Sequence, residues 1–316
     1  SADHPGTASR IVLSSMSANL PGGVTTPRHA HDALSTGADL LDEVPTQRWS
    51  GNNFLPSDDE RFRSRLRFGG FLADADRFDS RFFRVSAAET HAADPQHRRA
   101  RALTRLTSRL PHAPLTSTIL RLPTRGAPHP FWCRLLLERC YEGFHSAGLI
   151  RGKLLGSSTG VVIGILSTEY GQLFGFETMG RSPYASTAGS LSIAAGRLSY
   201  VLGMQGPCVA VETACSASLV ACHCARTALL LDEAPHHLAA GVNMILTPWT
   251  GTAMAAAGML AALGRCHTFD AAAEGFARAE ACVSAVLEAR LRSGSAAGMA
   301  AAIFDVLSSR VRADGR

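Results

Sequence analysis

One stretch, residues 207–231, limits what this chain can fold into more than any other. It opens with a short apolar run, residues 208–211, whose valines are typical of a buried strand. It continues as an alanine- and leucine-rich run without glycine or proline, which is typical of a buried helix. A strand that leads directly into a buried helix favours a layered α/β fold.

Cys215 lies at the join between the two runs, and Thr213 is a candidate N-cap whose hydroxyl accepts from a backbone N–H of the first turn. A helix N-terminus carries unpaired N–H groups and a partial positive charge, which stabilise a thiolate. The same groups suit the oxygen of a tetrahedral intermediate. The position therefore indicates a nucleophile. The alternative, a structural cysteine in a buried helix, fits Cys222 and Cys224.

Residues 211–221 resemble the active-site signature of β-ketoacyl synthases, in the polyketide synthase and fatty acid synthase group. Residues 194–200 and 202–207 are also similar to that family, and they occur in the family's order. Earlier stretches that resemble it are residues 20–23, 43–49, 69–83 and 94–98. By this resemblance, Cys215 is the catalytic residue that accepts an acyl chain as a thioester.

Strand and helix patterns alternate along the chain, which predicts an α/β fold with helices on both faces of a mixed sheet. Strands are predicted at residues 11–13, 160–165, 237–243 and 283–290, and helices at residues 27–35, 135–147 and 191–202. The resemblance implies the N-terminal half of a thiolase-like layered fold, which stacks two similar halves. We therefore expect residues 1–316 to form a truncated N-terminal domain that leaves an apolar face exposed and is poorly soluble alone.

Residues 99–133 interrupt this pattern. They contain six arginines, five prolines and no acidic residue, and they separate two stretches that are adjacent in the family. A long loop without structure of its own is uncommon in a compact domain. The segment is either a solvent-exposed insertion or translated non-coding sequence, and we favour the second. We expect a disordered insertion.

The sequence lacks some of the machinery for condensation. Decarboxylative Claisen condensation needs donors for the enolate that forms when the malonyl unit loses carbon dioxide. By the resemblance, two histidines supply them from Glu-Ala-His-Gly-Thr-Gly and Lys-Ser-Asn-Ile-Gly-His motifs, and this chain contains neither. The histidines that follow Cys215 are His223, His236, His237 and His267, and none has that context. We expect His236 and His237 to be surface residues and the chain to be incomplete for condensation.

Several other classes of function fit the sequence poorly. No apolar run is long enough to span a bilayer. The net charge of +5 comes from the arginines of residues 99–133, which argues against nucleic-acid binding. Cys222, His223 and Cys224 point in different directions on a helix, so they do not form a metal site. The G-x-S-x-G pattern at residues 156–160 precedes a strand, whereas a serine hydrolase elbow follows one.

The resemblance implies the ketosynthase domain of a type I polyketide synthase, acting in polyketide or fatty acid biosynthesis and binding no cofactor itself. Its acyl and malonyl substrates are carried as thioesters on the phosphopantetheine of an acyl carrier protein, and the intact enzyme is expected to be a homodimer. The compartment is not encoded in the sequence, although eight cysteines without a disulfide pattern favour the cytoplasm. Two alternatives stay open: a non-catalytic relic or partner subunit, and a thiolase-like acyltransferase, which residues 212–218 argue against.

Overall fold

The structure is a computed structural model, and it describes residues 9–45, 48, 60–73, 75, 79, 82–83, 131–166, 169, 190–291 and 302–313. Its main sheet has six strands: β1 (Ser9–Asn19), β4 (Gly160–Ile165), β5 (Cys208–Val211), β6 (His236–Asn243), β7 (Ala281–Leu291) and β8 (Phe304–Asp305). Two short strands, β2 (Asp42–Glu43) and β3 (Phe68–Gly69), form a separate antiparallel pair.

The strands of the main sheet follow the order β5-β4-β6-β7-β1-β8. β4 is parallel to both β5 and β6, whereas β7 runs antiparallel to β6 and β1, and β8 runs antiparallel to β1. The sheet is therefore mixed, as the sequence predicts. β5 is an edge strand, because no other described strand pairs with its outer side.

The helices are α1 (Pro27–Thr36), α2 (Glu60–Leu66), α3 (Phe131–Ser146), α4 (Arg151–Leu154), α5 (Leu191–Leu202), α6 (Ala217–Leu230) and α7 (Pro248–Ala256). The predicted strands and helices of the sheet and its layers are confirmed, with ends that shift by a few residues. The helix predicted at residues 191–202 ends as expected, because Gly203 adopts the left-handed conformation at its C-cap.

The two faces of the sheet carry different helices because side chains alternate along each strand. Ile163 of β4 packs with residues of α3 and α5, including Phe144 and Leu198. Its neighbour Val162 points to the other face and packs against alanines of α6. β4 is buried along its whole length, which explains its continuous apolar sequence.

One prediction concerns a region of the chain that the structure hardly describes. The insertion predicted at residues 99–133 lies outside the described residues except for residues 131–133, which begin α3. That insertion stays a prediction. Among the described residues, no helix is long and apolar enough to cross a bilayer.

Candidate active site

The chain turns sharply between β5 and α6, and Cys215 lies in the middle of that turn. Residues Ala214–Ser216 form one turn of 3-10 helix, and α6 begins directly after it at Ala217. The Cys215 side chain is exposed. The thiol thus lies at the strand-to-helix corner where the sequence places it.

The turn before Cys215 is strained. Ala214 has a φ of 52°, in the left-handed region that residues with a Cβ rarely adopt. Such a conformation costs about 1–3 kcal/mol and persists only when the surrounding structure holds it. Ser216 contributes by donating from its hydroxyl to the Thr213 carbonyl oxygen at 2.7 Å, and its backbone N–H donates to the same oxygen at 3.2 Å.

Thr213 does not cap the helix, so that prediction is wrong. Its hydroxyl oxygen accepts from the Ser216 hydroxyl at 3.0 Å instead of from a backbone N–H. The reason is the extra 3-10 turn, which places the start of α6 four residues beyond Thr213. The N-cap residue of α6, Ser216, makes no side-chain hydrogen bond to the first turn, so its hydroxyl does not compete there with a substrate oxygen.

Burial separates the cysteines of the described residues into two groups. Cys140 and Cys282 lie fully inside the core, where burial raises the pKa of both thiols. Burial also raises the pKa of Cys222 on α6. The exposed cysteines are Cys208, Cys215 and Cys266. Of these three, Cys215 alone adjoins the start of a long helix.

The strand directions place Cys215 at a particular edge of the sheet. β4, β5 and β6 are parallel, so their carboxyl ends share one edge. Cys215 follows β5 at that edge, Glu169 follows β4, and Thr247 follows β6. In open α/β sheets, ligands bind in the crevice beyond the carboxyl ends of the strands.

A buried carboxylate at this edge, Glu169, was not foreseen from the sequence. It accepts hydrogen bonds from the backbone N–H groups of Leu246 and Thr247 at 2.8 and 2.9 Å. Arg278 donates to its second oxygen at 2.6 Å. Glu169 thus holds the connection that follows β6.

Glu280 also binds the connection that follows β6, at Ile245, the residue before Leu246. Its two oxygens accept from the backbone N–H groups of Ile245 at 3.0 Å and Leu72 at 2.9 Å, and from Arg48 at 3.0 Å. Burial raises the pKa of the Glu280 carboxyl, and the Arg48 guanidinium opposes that rise. The sequence signal was available, since Arg278 and Glu280 are charged residues between alanines at the start of an apolar strand.

The histidines at the start of β6 lie at the opposite edge from Cys215. His237 pairs with Gly160 at the first residue of β4, while the carboxyl-edge pair is Ile165 with Val242. Five residues of strand separate the two pairs, about 17 Å at the usual rise. The expectation that His237 is a surface residue is wrong, since it is 0% exposed. Burial, followed by the charge of His236, lowers its pKa.

His223 and His267 complete the histidines that follow Cys215. His223 lies on α6, where its Nδ1 and the Ser309 hydroxyl are 3.0 Å apart. His267 is exposed in the connection before β7. Among the described residues, no three His, Cys, Asp or Glu side chains group as metal ligands.

Comparison with known proteins identifies the class of protein that this sheet and corner define. The family model for the β-ketoacyl synthase N-terminal domain matches residues 8–121 and 130–292. The chain therefore belongs to the β-ketoacyl synthase family, an enzyme family with a thiolase-like α/β fold. The resemblance drawn from residues 211–221 is confirmed.

The particular relatives are polyketide synthases. The chain is 35% identical over 279 residues to the mycocerosic acid synthase-like polyketide synthase of Mycolicibacterium smegmatis, covering 88% of this chain and 12% of that protein. It is 29% identical to the ketosynthase from module 6 of the bacillaene synthase of Bacillus subtilis 168, with a TM-score of 0.67 over 88% of this chain and 40% of that one. An oxazolomycin ketosynthase domain of Streptomyces albus gives 27% identity and a TM-score of 0.68, covering 90% of this chain and 43% of that one.

Proposed function

We propose that this chain supplies the acyl-accepting half of a ketosynthase in polyketide biosynthesis. The observation that carries the proposal is the exposed Cys215 at the carboxyl edge of the sheet, directly before α6. Family membership supports the reaction class, and the position of Cys215 at the strand-to-helix corner supports the choice of that residue.

The first step follows from the chemistry of a thiolate at a helix start. The Cys215 sulfur attacks the thioester carbonyl of an acyl group carried on the phosphopantetheine of an acyl carrier protein. A bond forms between the Cys215 sulfur and the acyl carbon, the carbon–sulfur bond to the carrier breaks, and the carrier thiol takes up a proton. The partial positive charge at the start of α6 stabilises the tetrahedral oxygen between these events.

The second step is decarboxylative Claisen condensation with malonyl-acyl carrier protein, and we assign it to the intact enzyme. It needs donors for the enolate oxygen. His236 and His237, which follow Cys215 in the sequence, begin β6 at the far edge of the sheet and are unsuited to that role. We therefore expect the chain alone to be acylated without condensing.

The proposal extends to the assembly of the intact enzyme as a homodimer in the cytoplasm. The outer side of β5 supports the dimer, since an edge strand without a partner among the described residues presents free backbone groups for pairing. The alternative is a non-catalytic ketosynthase relic or partner subunit that keeps the half-fold for association. The two differ in whether Cys215 reacts with a thioester.

The test is acylation of the full chain by a short acyl-N-acetylcysteamine thioester, followed by peptide mass spectrometry. We expect one acyl group on the peptide that contains Cys215. Cys215→Ala removes the label, and Cys266→Ala, which deletes an exposed thiol on another loop, leaves it unchanged. A folded wild-type chain that takes no label at Cys215 favours the relic.

A further inference from the structure

Two glycines lie side by side beneath the first turn of α6. Gly164 of β4 and Gly241 of β6 are direct register partners. On its other side, Gly164 pairs with Val211, the last residue of β5 before the turn that carries Cys215. At these two adjacent positions the sheet presents backbone without side chains, close to its carboxyl edge.

The start of α6 packs directly against these two glycines. A Cβ built on Gly164 would lie 2.4 Å from the Ala217 carbonyl carbon and oxygen and 2.5 Å from the Ser218 nitrogen. A Cβ on Gly241 would lie 2.6 Å from the Ser218 Cβ. Because an ordinary contact is 3.4–4 Å, a methyl group at either position displaces the first turn by roughly 1 Å.

The first turn of α6 and Cys215 move together. The Ala217 N–H donates to the Ala214 carbonyl oxygen, which ties the helix start to the 3-10 turn. Gly164 thus touches both ends of the strained turn: Val211 through strand pairing and Ala217 through backbone contact. These two contacts account for how the left-handed Ala214 is held in place.

We propose that Gly164 and Gly241 are positioning residues for the Cys215 thiol. The missing Cβ atoms let the first turn of α6 approach the sheet closely, which fixes the position of the turn that carries the sulfur. This inference rests on the proposed function for the meaning of that placement. The placement itself is measurable without any acyl transfer.

The same strand provides a matched control. Gly160 lies at the other end of β4, and a Cβ there would lie 2.0 Å from the His237 ring. Gly160→Ala therefore introduces a comparable overlap on the same strand at the edge away from Cys215. If overpacking in general lowers the reactivity of Cys215, Gly160→Ala and Gly164→Ala lower it alike. If Gly164 positions the thiol, only Gly164→Ala lowers it.

The experiment measures iodoacetamide alkylation of Cys215 relative to Cys266 by peptide mass spectrometry, at one fixed pH, in dilute full chain that circular dichroism shows to be folded. Gly164→Ala and Gly241→Ala are expected to lower the Cys215 to Cys266 rate ratio by up to about fivefold, because the partial positive charge of the displaced helix N-terminus then lies farther from the sulfur. Gly160→Ala leaves the ratio unchanged.

A rescue separates the two glycines. The overlap at Gly241 is with the Ser218 side chain, so Gly241→Ala with Ser218→Gly is expected to restore the wild-type ratio. The overlap at Gly164 is with backbone, so Ser218→Gly does not rescue Gly164→Ala. If Gly164→Ala fails to fold, the Gly241 pair of variants still decides.

The inference is overturned if Gly164→Ala and Gly241→Ala keep the wild-type ratio, or if Gly160→Ala changes it as much. Acyl transfer to Cys215, where wild-type shows it, is expected to fall by up to about 100-fold in Gly164→Ala, because a shift of about 1 Å misaligns the nucleophile. Wild-type without acyl transfer but with the expected alkylation pattern refutes the proposed function and keeps the positioning inference.

Discussion

His237 is a titratable residue in surroundings that suit its chemistry poorly. Its ring lies against Gly160 inside the sheet, and neither ring nitrogen has a hydrogen-bond partner among the described residues. A buried polar group without a partner costs about 1–3 kcal/mol. The neutral ring is the tolerated form, because burial disfavours a charged ring in that position.

The His237 ring makes the stability of the protein sensitive to mild acid. Its pKa is lowered from 6.5 in the folded state by burial and by His236, so below that pH the unfolded chain binds the proton more readily. Stability is therefore unaffected well above pH 6.5 and falls as pH drops below it, by up to about 1.4 kcal/mol per pH unit. Urea unfolding at about pH 7.5 and about pH 5.5 measures the difference.

His237→Leu is expected to flatten this dependence, and His267→Gln, at an exposed position, is expected to preserve it.

Glu288 titrates in a separate range. Burial raises its pKa, but hydrogen bonds from His236 and Arg290 outweigh burial and bring it to about 2. Its contribution is present above 4.5 and is lost as pH falls toward 2. If the stability of His237→Leu fell as steeply below pH 6.5 as that of the wild type, His237 would not be the source of the sensitivity to mild acid.

At the scale of elements, the connection between β6 and α7 depends on two buried carboxylates. Glu280 and Glu169 together accept from the backbone N–H groups of Ile245, Leu246 and Thr247. Arg48 and Arg278 approach the same carboxylates from distant regions of the chain. These contacts fix one segment at the carboxyl edge of the sheet.

Glu280→Gln tests this arrangement with a side chain of the same shape. Both Glu280 oxygens accept from donors, so the amide group of glutamine faces a donor whichever way it turns. We expect a loss of about 3 kcal/mol in the free energy of unfolding by urea titration, as when one partner of a buried pair is removed.

The control is Glu43→Gln. The side chains of Glu43 and Arg67 are each 60% exposed, and such a pair contributes about 1 kcal/mol or less. Equal losses from Glu280→Gln and Glu43→Gln would mean that the buried network holds nothing together.

At the scale of the whole molecule, α6 is only partly covered on the side away from the sheet. Near its C-terminus, Arg226 donates to the carbonyl oxygens of Val306 and Leu307 in the segment that crosses it. Near its N-terminus, Leu219 is 74% exposed. Leu219 lies four residues after Cys215, and the apolar face expected from a half-fold stays a prediction that this end of α6 allows us to test.

We expect the chain to self-associate through this face as its concentration rises. Leu219→Lys is expected to weaken association by roughly tenfold to a hundredfold, because burying a leucine contributes about 1.5–3 kcal/mol. Light scattering over a dilution series measures it.

Leu34→Lys is the matched control, since Leu34 is 83% exposed on α1 and is expected to have no effect. A wild-type chain that stays monomeric at high concentration and unfolds cooperatively would rule out the apolar contact.

Local elements, and the position that we propose for the nucleophile, can be predicted from the sequence alone. Apolar runs and helical spacing predict β4, α5 and the join at Cys215, because hydrophobic periodicity and glycine conformation act over a few residues. The α/β class follows from the order of these elements. The capping role predicted for Thr213 was wrong because one added 3-10 turn moves the helix start, and the hydrophobic periodicity of the sequence does not reveal that turn.

Contacts between groups that are distant in the sequence become visible in the folded chain alone. Arg48 donates a hydrogen bond to Glu280 across 232 positions of sequence, and the residues around either one do not predict this pairing. The register of β4 with β6 puts His237 inside the sheet and sets Gly164 beside Gly241 under α6. Strand order and register arise from packing the whole chain at once, so they emerge where the elements come into contact.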